Sequence, residues 1–402
     1  MGLPSEDGRR GGLEVRRMKI EAELELAWRA EFPILSTCAY LISNSLGAMP
    51  RRTRDRLEEY ADEWATRGVT AWDVWLDLAS RTADRIGGLI GARPGEVILQ
   101  QNVSVAEQIL ISCLDFSGRR NAIVYSDMEF PTVHYNWKAQ EARGASVKLV
   151  QSRDGITVDS QAICDAIDER TLAVPISHVL FRSSYIQDVR PIVEKAHAVG
   201  AYVFLDVYQS IGSVPVDVGE LGVDACVGGC LKWLCGGPGT AFLWVKPELY
   251  DRLRPAAVGW FSHRRPFDFD MREFEFADGA WRYAGGTPNP AAYYAALEGL
   301  EVIAQIGVDA IRRRSVELTS LASECARENG LAFNSPADAS HRGGHVAIDF
   351  PNADAACAEL IRRKFIVDYR PRAGIRIAPH FYNSRDEVKA AFAEIRRIVD
   401  GG

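Results

Sequence analysis

Three short apolar segments, each separated from the next by an amphipathic stretch, constrain this chain more than any other feature. Residues 122–125, 172–176 and 202–205 read as buried strands, and helical spacing fills the run from Ser160 and the run 189–199. Short buried strands alternating with helices belong to an α/β fold whose mostly parallel sheet is sandwiched by helices. Residues 241–245 add a strand beyond a glycine-rich turn.

Around Gly286-Thr287-Pro288-Asn289-Pro290 the chain turns sharply, and helical patterns follow over 291–306 and 308–329. From His345 the texture changes to strand 346–350, helix 353–363, strand 375–378 and a last helix from Ser384. A large domain over 49–295 and a smaller α/β C-terminal domain over 296–402 are therefore expected, which suits 402 residues. Residues 13–48 are expected to pack on the smaller domain. Residues 1–12 are polar and glycine-rich, without the apolar stretch of a secretory signal, and read as a disordered tail.

Hydrophobic residues at 47% and charged residues at 25% suit a soluble globular protein, and a net charge of −7 gives no footprint for nucleic acid. No apolar run approaches the roughly eighteen residues of a membrane helix. Eight cysteines are scattered, and the nearest group (Cys226, Cys230, Cys235) has no second cluster to complete a metal site. No metal is expected, and reduced, packed thiols point to the cytoplasm.

The chemistry is concentrated at Lys232, within Gly228-Gly229-Cys230-Leu231-Lys232-Trp233-Leu234-Cys235-Gly236-Gly237-Pro238-Gly239. A lysine between an apolar strand and a glycine turn loses hydration, so its pKa falls and its amine becomes nucleophilic towards an aldehyde. Asp206 ends the strand before it, at a carboxyl edge where ligands gather in open α/β sheets. A carboxylate there either caps a turn or keeps the ring nitrogen of pyridoxal 5′-phosphate protonated. With Lys232 present, the second role is expected.

Other candidates surround this pair. Gln209 is either a solvated loop residue or a contact to a phosphate or the cofactor hydroxyl. Ser104 followed by Glu107 has capping-box spacing, which makes a helix start at Asn102-Val103-Ser104 a phosphate site or an ordinary cap. Phe130, before Pro131-Thr132, is a core ring or a stacking partner for a heteroaromatic ring. Arg376 lies in the apolar stretch Gly374-Ile375-Arg376-Ile377-Ala378. It either forms a structural salt bridge or grips a substrate carboxylate, and the clamp is favoured.

With Asp206, Gln209, Lys232 and Arg376 in that order, the chain resembles fold-type I pyridoxal phosphate enzymes of the class V aminotransferase branch. Asn44-Ser45-Leu46-Gly47 after Tyr40-Leu41, Trp64 with Trp72, Phe130-Pro131-Thr132, Gly259-Trp260-Phe261, Gly286-Thr287-Pro288, and Tyr369-Arg370 through Arg376, Pro379 and Tyr382-Asn383 resemble kynureninases. The resemblance runs from about residue 35 to the end. It implies that Lys232 forms the Schiff base and shuttles the Cα proton, while Asp206 holds the pyridine nitrogen. Phe130 would stack on the ring, with Ser177 near its substituents. Val103 (through its backbone), Ser104, Trp260 and Gln209 would surround the phosphate, joined by Thr287 from a second subunit of a homodimer. Arg376 would bind the α-carboxylate, and Asn44 would lie on the substrate side. The implied reaction is hydrolysis of L-kynurenine to anthranilate and L-alanine.

The chain departs from that pattern at several positions. Leu231 stands where kynureninases carry a tyrosine before the lysine, Gln209 replaces a histidine, Val133 an acid, and Leu180-Phe181 a more polar pair. The cofactor frame is intact, whereas groups tied to C–C hydrolysis are missing. A kynureninase-type hydrolase of a β-acyl-alanine is expected. The alternative is transamination, racemisation, β-elimination or decarboxylation on the same frame. A cysteine desulfurase is disfavoured because Cys325 and Cys357 lie in helical patterns. A non-catalytic binding protein is disfavoured because both Lys232 and Asp206 are present.

Overall fold

The computed structural model describes residues 27–401, so the expected tail 1–12 and residues 13–26 of the N-terminal segment lie outside the described residues. After β1 (Ala39–Tyr40) come β2 (Val97–Gln100), β3 (Ala122–Ser126), β4 (Ser146–Val150), β5 (Thr171–Ser177), β6 (Tyr202–Asp206), β7 (Ala225–Gly229) and β8 (Ala241–Val245). The last seven form one sheet in the order β2-β8-β7-β6-β5-β3-β4. Pairs from β4 across to β7 are parallel, and β8 is antiparallel to both its neighbours.

Alternation along the strands shows why the sheet is covered on both sides. Val203 and Leu205 pack into one core with Val174, Ile176 and Phe242. Phe204, between them, packs into a second core with Ala173, Val227 and Leu243. The central strands thus bury both faces, and helices must cover both. The helix Arg190–Val199 shows the local logic: Pro191 starts it, and Gly200 at φ 75 stops it.

Two strands of this sheet, β2 and β4, were not legible, and β7 was legible only as an apolar stretch before Lys232, without bounds. β2 is only four residues long, β4 is only half-buried, and β7 (Ala-Cys-Val-Gly-Gly) carries two glycines that weaken any strand pattern. Those glycines make room for rings: a Cβ at Gly228 would sit 2.7 Å from the Phe242 ring, and one at Gly229 would sit 2.4 Å from Tyr208.

A second sheet follows. β9 (Ala332–Phe333), β10 (Val346–Asp349), β12 (Asp368–Arg370) and β13 (Gly374–Ile377) pair antiparallel in the order β12-β13-β10-β9, while β11 (Phe365–Ile366) pairs in parallel with β1. Its core joins Ile375 and Ile377 to Leu318, Leu360, Phe392 and Ile395 from the helices Val308–Glu328, Ala353–Arg362 and Arg385–Val399. The division expected after residue 295 needs correction, because it falls inside the unbroken helix Pro290–Ile306. That helix packs with the first sheet: Leu300 and Ile303 join its core, and Glu298 pairs with Arg56 at 2.7 Å. The chain leaves for the second sheet only after Gly307, where φ is 83.

Candidate active site

The carboxyl ends of β5 and β6 bring Ser177 and Asp206 into register as neighbours, and the turn after β7 carries Lys232 towards them. Lys232 is 8% exposed. Loss of hydration pulls its amine down to about 7, with the Asp206 charge acting against the fall. Its Nζ lies 4.2 Å from the centre of the Tyr208 ring and 5.6 Å from that of Phe130. Both rings present π-density to the amine. Asp206 Oδ1 accepts the Tyr208 N–H at 2.7 Å, and Oδ2 has no protein partner among the described residues. Burial raises the Asp206 carboxyl, while that N–H and Lys232 favour its charged form.

The loop 44–47 presses on the lysine through its backbone. Gly47 N–H donates to Leu231 O at 2.9 Å, and a Cβ on Gly47 would lie 2.1 Å from Lys232 O, so only glycine fits. On the same loop, Asn44 is 1% exposed, yet neither atom of its side-chain amide finds a partner among the described residues. Leaving a buried amide unpaired is expensive, so such a group calls for a water or a ligand as its partner.

The helix Val103–Ser112 supplies the anion end, with one correction. Its cap is Asn102, whose side chain accepts from Val105 N–H at 2.9 Å; Ser104 lies inside the first turn and does not form the expected capping box with Glu107. The N–H groups of Val103 and Ser104 have no protein acceptor among the described residues. The Ser104 hydroxyl meets that of Thr132 at 3.2 Å. Free N–H groups and hydroxyls at a helix start suit a phosphate.

Arg376 reaches this site from β13, already engaged. Asp368 grips it side-on (Nε to Oδ1 2.8 Å, Nη2 to Oδ2 2.5 Å), and Nη1 donates to Phe181 O at 2.8 Å. Both alternatives posed for this arginine are therefore compatible. The salt bridge exists, and two of its five N–H donors remain for a ligand.

Ser177 and Phe130 thus lie with Lys232 and Asp206, and Asn44 heads the loop whose Gly47 packs on Lys232 O; the side chains expected around the phosphate besides the helix start have other contacts within this chain. The Gln209 amide is engaged at both ends, donating to Asn44 O (3.0 Å) and accepting from Trp233 Nε1 (3.1 Å). It braces the loop 44–47. Trp260 packs among Phe261, Phe267 and Phe269 with 38% exposure. Thr287 lines a cavity of about 270 Å³ with Gln100, Val105, Val258 and Asn289, and neither Lys232 nor Asp206 reaches its wall.

Sequence reasoning missed several groups. Glu129 is buried and accepts from Ser126 Oγ and Ser177 N–H, both at 2.8 Å; burial still lifts it to about 7. An acid placed directly before Phe130-Pro131-Thr132 was the available signal. His345 is fully buried, with Nδ1 unpaired; burial and the charge of Arg376 keep its imidazole neutral. Tyr208, two residues beyond Asp206, carried no signal of its own.

A buried amine of lowered pKa, a carboxylate with one free oxygen and an anion-binding helix start define a pyridoxal phosphate site on a fold-type I scaffold. Comparison with known proteins agrees. The family profile described as aminotransferase class-V matches residues 39–390. The uncharacterized aminotransferase YcbU of Bacillus subtilis is 35% identical over 92% of this chain and 96% of its own length. Kynureninase of Pseudomonas fluorescens is 34% identical over 95% of this chain and 94% of its own. Among solved structures, a cysteine desulfurase of Thermococcus onnurineus NA1 superposes with a TM-score of 0.82 at 19% identity, covering 93% of this chain and 98% of that one. The chain belongs to the class V aminotransferase family. Its cofactor is pyridoxal 5′-phosphate.

Proposed function

We propose that this enzyme hydrolyses the Cβ–Cγ bond of a β-acyl-alanine of the L-kynurenine class, giving L-alanine and an aryl acid. The observation that carries the proposal is the buried Asn44 amide, unpaired among the described residues, on the loop whose Gly47 packs against Lys232 O, in a chain 34% identical to a kynureninase over nearly its whole length. When bound, the cofactor supplies an electron sink for charge developing at the substrate Cα. The protein's own groups do the rest. Lys232 would hold the cofactor through its aldehyde, and its amine, with a pKa suited to neutral pH, would take and return the Cα proton. Asp206 would hold the pyridine N–H, and the N–H groups of Val103 and Ser104 would hold the phosphate. Phe130 would pack against the ring, and the spare donors of Arg376, with Asn44, would orient the α-carboxylate.

We further propose a homodimer in which Thr287, and with it Trp260, serves the partner's phosphate. A run of exposed apolar side chains supports it: Val258, Trp260, Phe267, Phe269 and Phe274 are each at least 38% exposed and precede Thr287 in the chain. Sedimentation of the purified protein tests this; a monomer at micromolar concentration would remove it. Eight unpaired cysteines, six of them buried, favour a reducing compartment, and we propose the cytoplasm.

Leu231 favours a second reading, transamination or another lyase-type reaction on the same frame, because the tyrosine expected beside the lysine is absent. A desulfurase chemistry has less support: Cys325 and Cys357 are buried within helices and cannot reach a substrate on a mobile loop. Incubation with L-kynurenine, 3-hydroxykynurenine and a panel of amino acids separates the readings. Anthranilate with alanine supports hydrolysis; keto acids without anthranilate select the second.

A further inference from the structure

Beside Asp206 lies a small cavity walled by Glu107, Asp206, Leu110, Val133, Trp137 and Phe204, among others, and Lys232 is not part of its wall. Its volume of about 10 Å³ is near the minimum for one water. The walls are apolar except for two carboxyl groups and one indole. Trp137 is fully buried, and its Nε1–H finds no acceptor among the described residues. Glu107 is 4% exposed and has a single protein partner, Asn136 Nδ2, donating to Oε2 at 2.9 Å. Its Oε1 is unpaired among the described residues, as is Asp206 Oδ2.

We propose that one ordered water occupies this cavity and links Glu107, in its neutral acid form, to Asp206. The water accepts from Trp137 Nε1–H and from the Glu107 hydroxyl and donates to the Asp206 carboxylate, which leaves every polar group on the wall satisfied. Two carboxylates facing one small apolar cavity do not both stay ionised. Asp206 keeps the charge because it has the Tyr208 N–H and the attraction of Lys232. Glu107 has no ion-pair partner among the described residues, its one side-chain contact being the neutral Asn136 amide. Burial lifts its carboxyl to about 8, and the negative charges of Asp206 and Glu129 act in the same direction. Glu107 is a positioning residue: it anchors Asp206 through the water, so that Asp206 meets the pyridine nitrogen as a fixed anion. The water site rests on protein atoms alone. Only its effect on the cofactor rests on the pyridoxal phosphate assignment.

Crystals of the apoprotein at high resolution, infrared difference spectra and cofactor titrations test this. The wild-type apoprotein should show one water in the cavity. Its protonated-carboxyl absorption at neutral pH should include a component that Glu107→Gln removes, leaving the part contributed by Glu129. Glu107→Gln, an isostere of the neutral acid, should keep the water, the absorbance of the bound cofactor and its Kd within about twofold. Glu107→Leu should expel the water, shift that absorbance and raise the Kd about tenfold. A dry wild-type cavity, or protonated-carboxyl absorption undiminished in Glu107→Gln, overturns the proposal. Should Glu107→Leu fail to fold, Trp137→Phe carries the test by removing one donor. An unchanged Kd and cavity water in that variant would also overturn it. A failure of pyridoxal phosphate binding in the wild type would leave the apoprotein water and the infrared band as independent readouts.

Discussion

Lys232 should titrate near neutrality in the apoprotein, well below an ordinary lysine. The fall from 10.5 to about 7 corresponds to about 5 kcal/mol of penalty on the charged amine. At pH 7 roughly half of the Lys232 amines would be neutral, against roughly one in 3,000 for an unperturbed lysine. Labelling with a small aldehyde and borohydride, followed by peptide mass analysis, reads this directly. Modification of Lys232 should rise through about pH 7 and level off by about pH 8.5, while exposed Lys195 keeps rising. The same shift affects stability. The folded state holds the proton less tightly than the unfolded chain, so Lys232 destabilises the fold fully below about pH 7, and the cost fades as pH climbs towards 10.5. Relative to Lys232→Met, the wild-type apoprotein should therefore gain about 3 kcal/mol between about pH 6 and pH 9, measured by urea denaturation. Labelling of Lys232 that parallels Lys195 through about pH 10, with no pH-dependent stability difference, would refute a desolvated amine.

Other substitutions probe the surrounding contacts. Gly47→Ala drives a methyl into Lys232 O and should cost about 1–3 kcal/mol of stability and weaken cofactor binding, seen in denaturation and titration. Arg376→Ala should raise KM for the amino acid at least about tenfold while leaving cofactor Kd within about twofold, and an unchanged KM would remove the carboxylate clamp. The same substitution leaves Asp368 with only the more exposed Arg370, which should show as a separate drop in thermal stability. Gly229→Ala should push the Tyr208 ring off Lys232 and move the Lys232 labelling midpoint, whereas an unmoved midpoint would discount that ring contact.

Much of this site was legible because its key groups follow local signals. Asp206 ends an apolar strand, and Lys232 stands between an apolar strand and a glycine turn, so neither needs tertiary information to attract notice. Glu107 shows where that logic stops. Its spacing from Ser104 fits a capping box, yet Asn102 caps the helix and Glu107 shares a cavity wall with Asp206, because position on a helix face and not spacing decides between the two. The grip of Asp368 on Arg376 was equally hidden: the two are neighbours across β12 and β13, and that register follows from a turn with Arg372 at φ 66 and Gly374 at φ 85. Strand β4 and the bounds of β7 escaped for compositional reasons, one being half-exposed and the other rich in glycine.

The pairing of Tyr40 with Ile366, and of Gly47 with Leu231, also sets an order of assembly. A segment synthesised early has to wait for a strand more than three hundred residues later before it can dock, and closing so long a loop is slow. Docking of Ala39 and Tyr40, and with them the loop that leads to Gly47, should therefore be completed only once β11 is available, and cofactor uptake by chains truncated before and after β11 would test it.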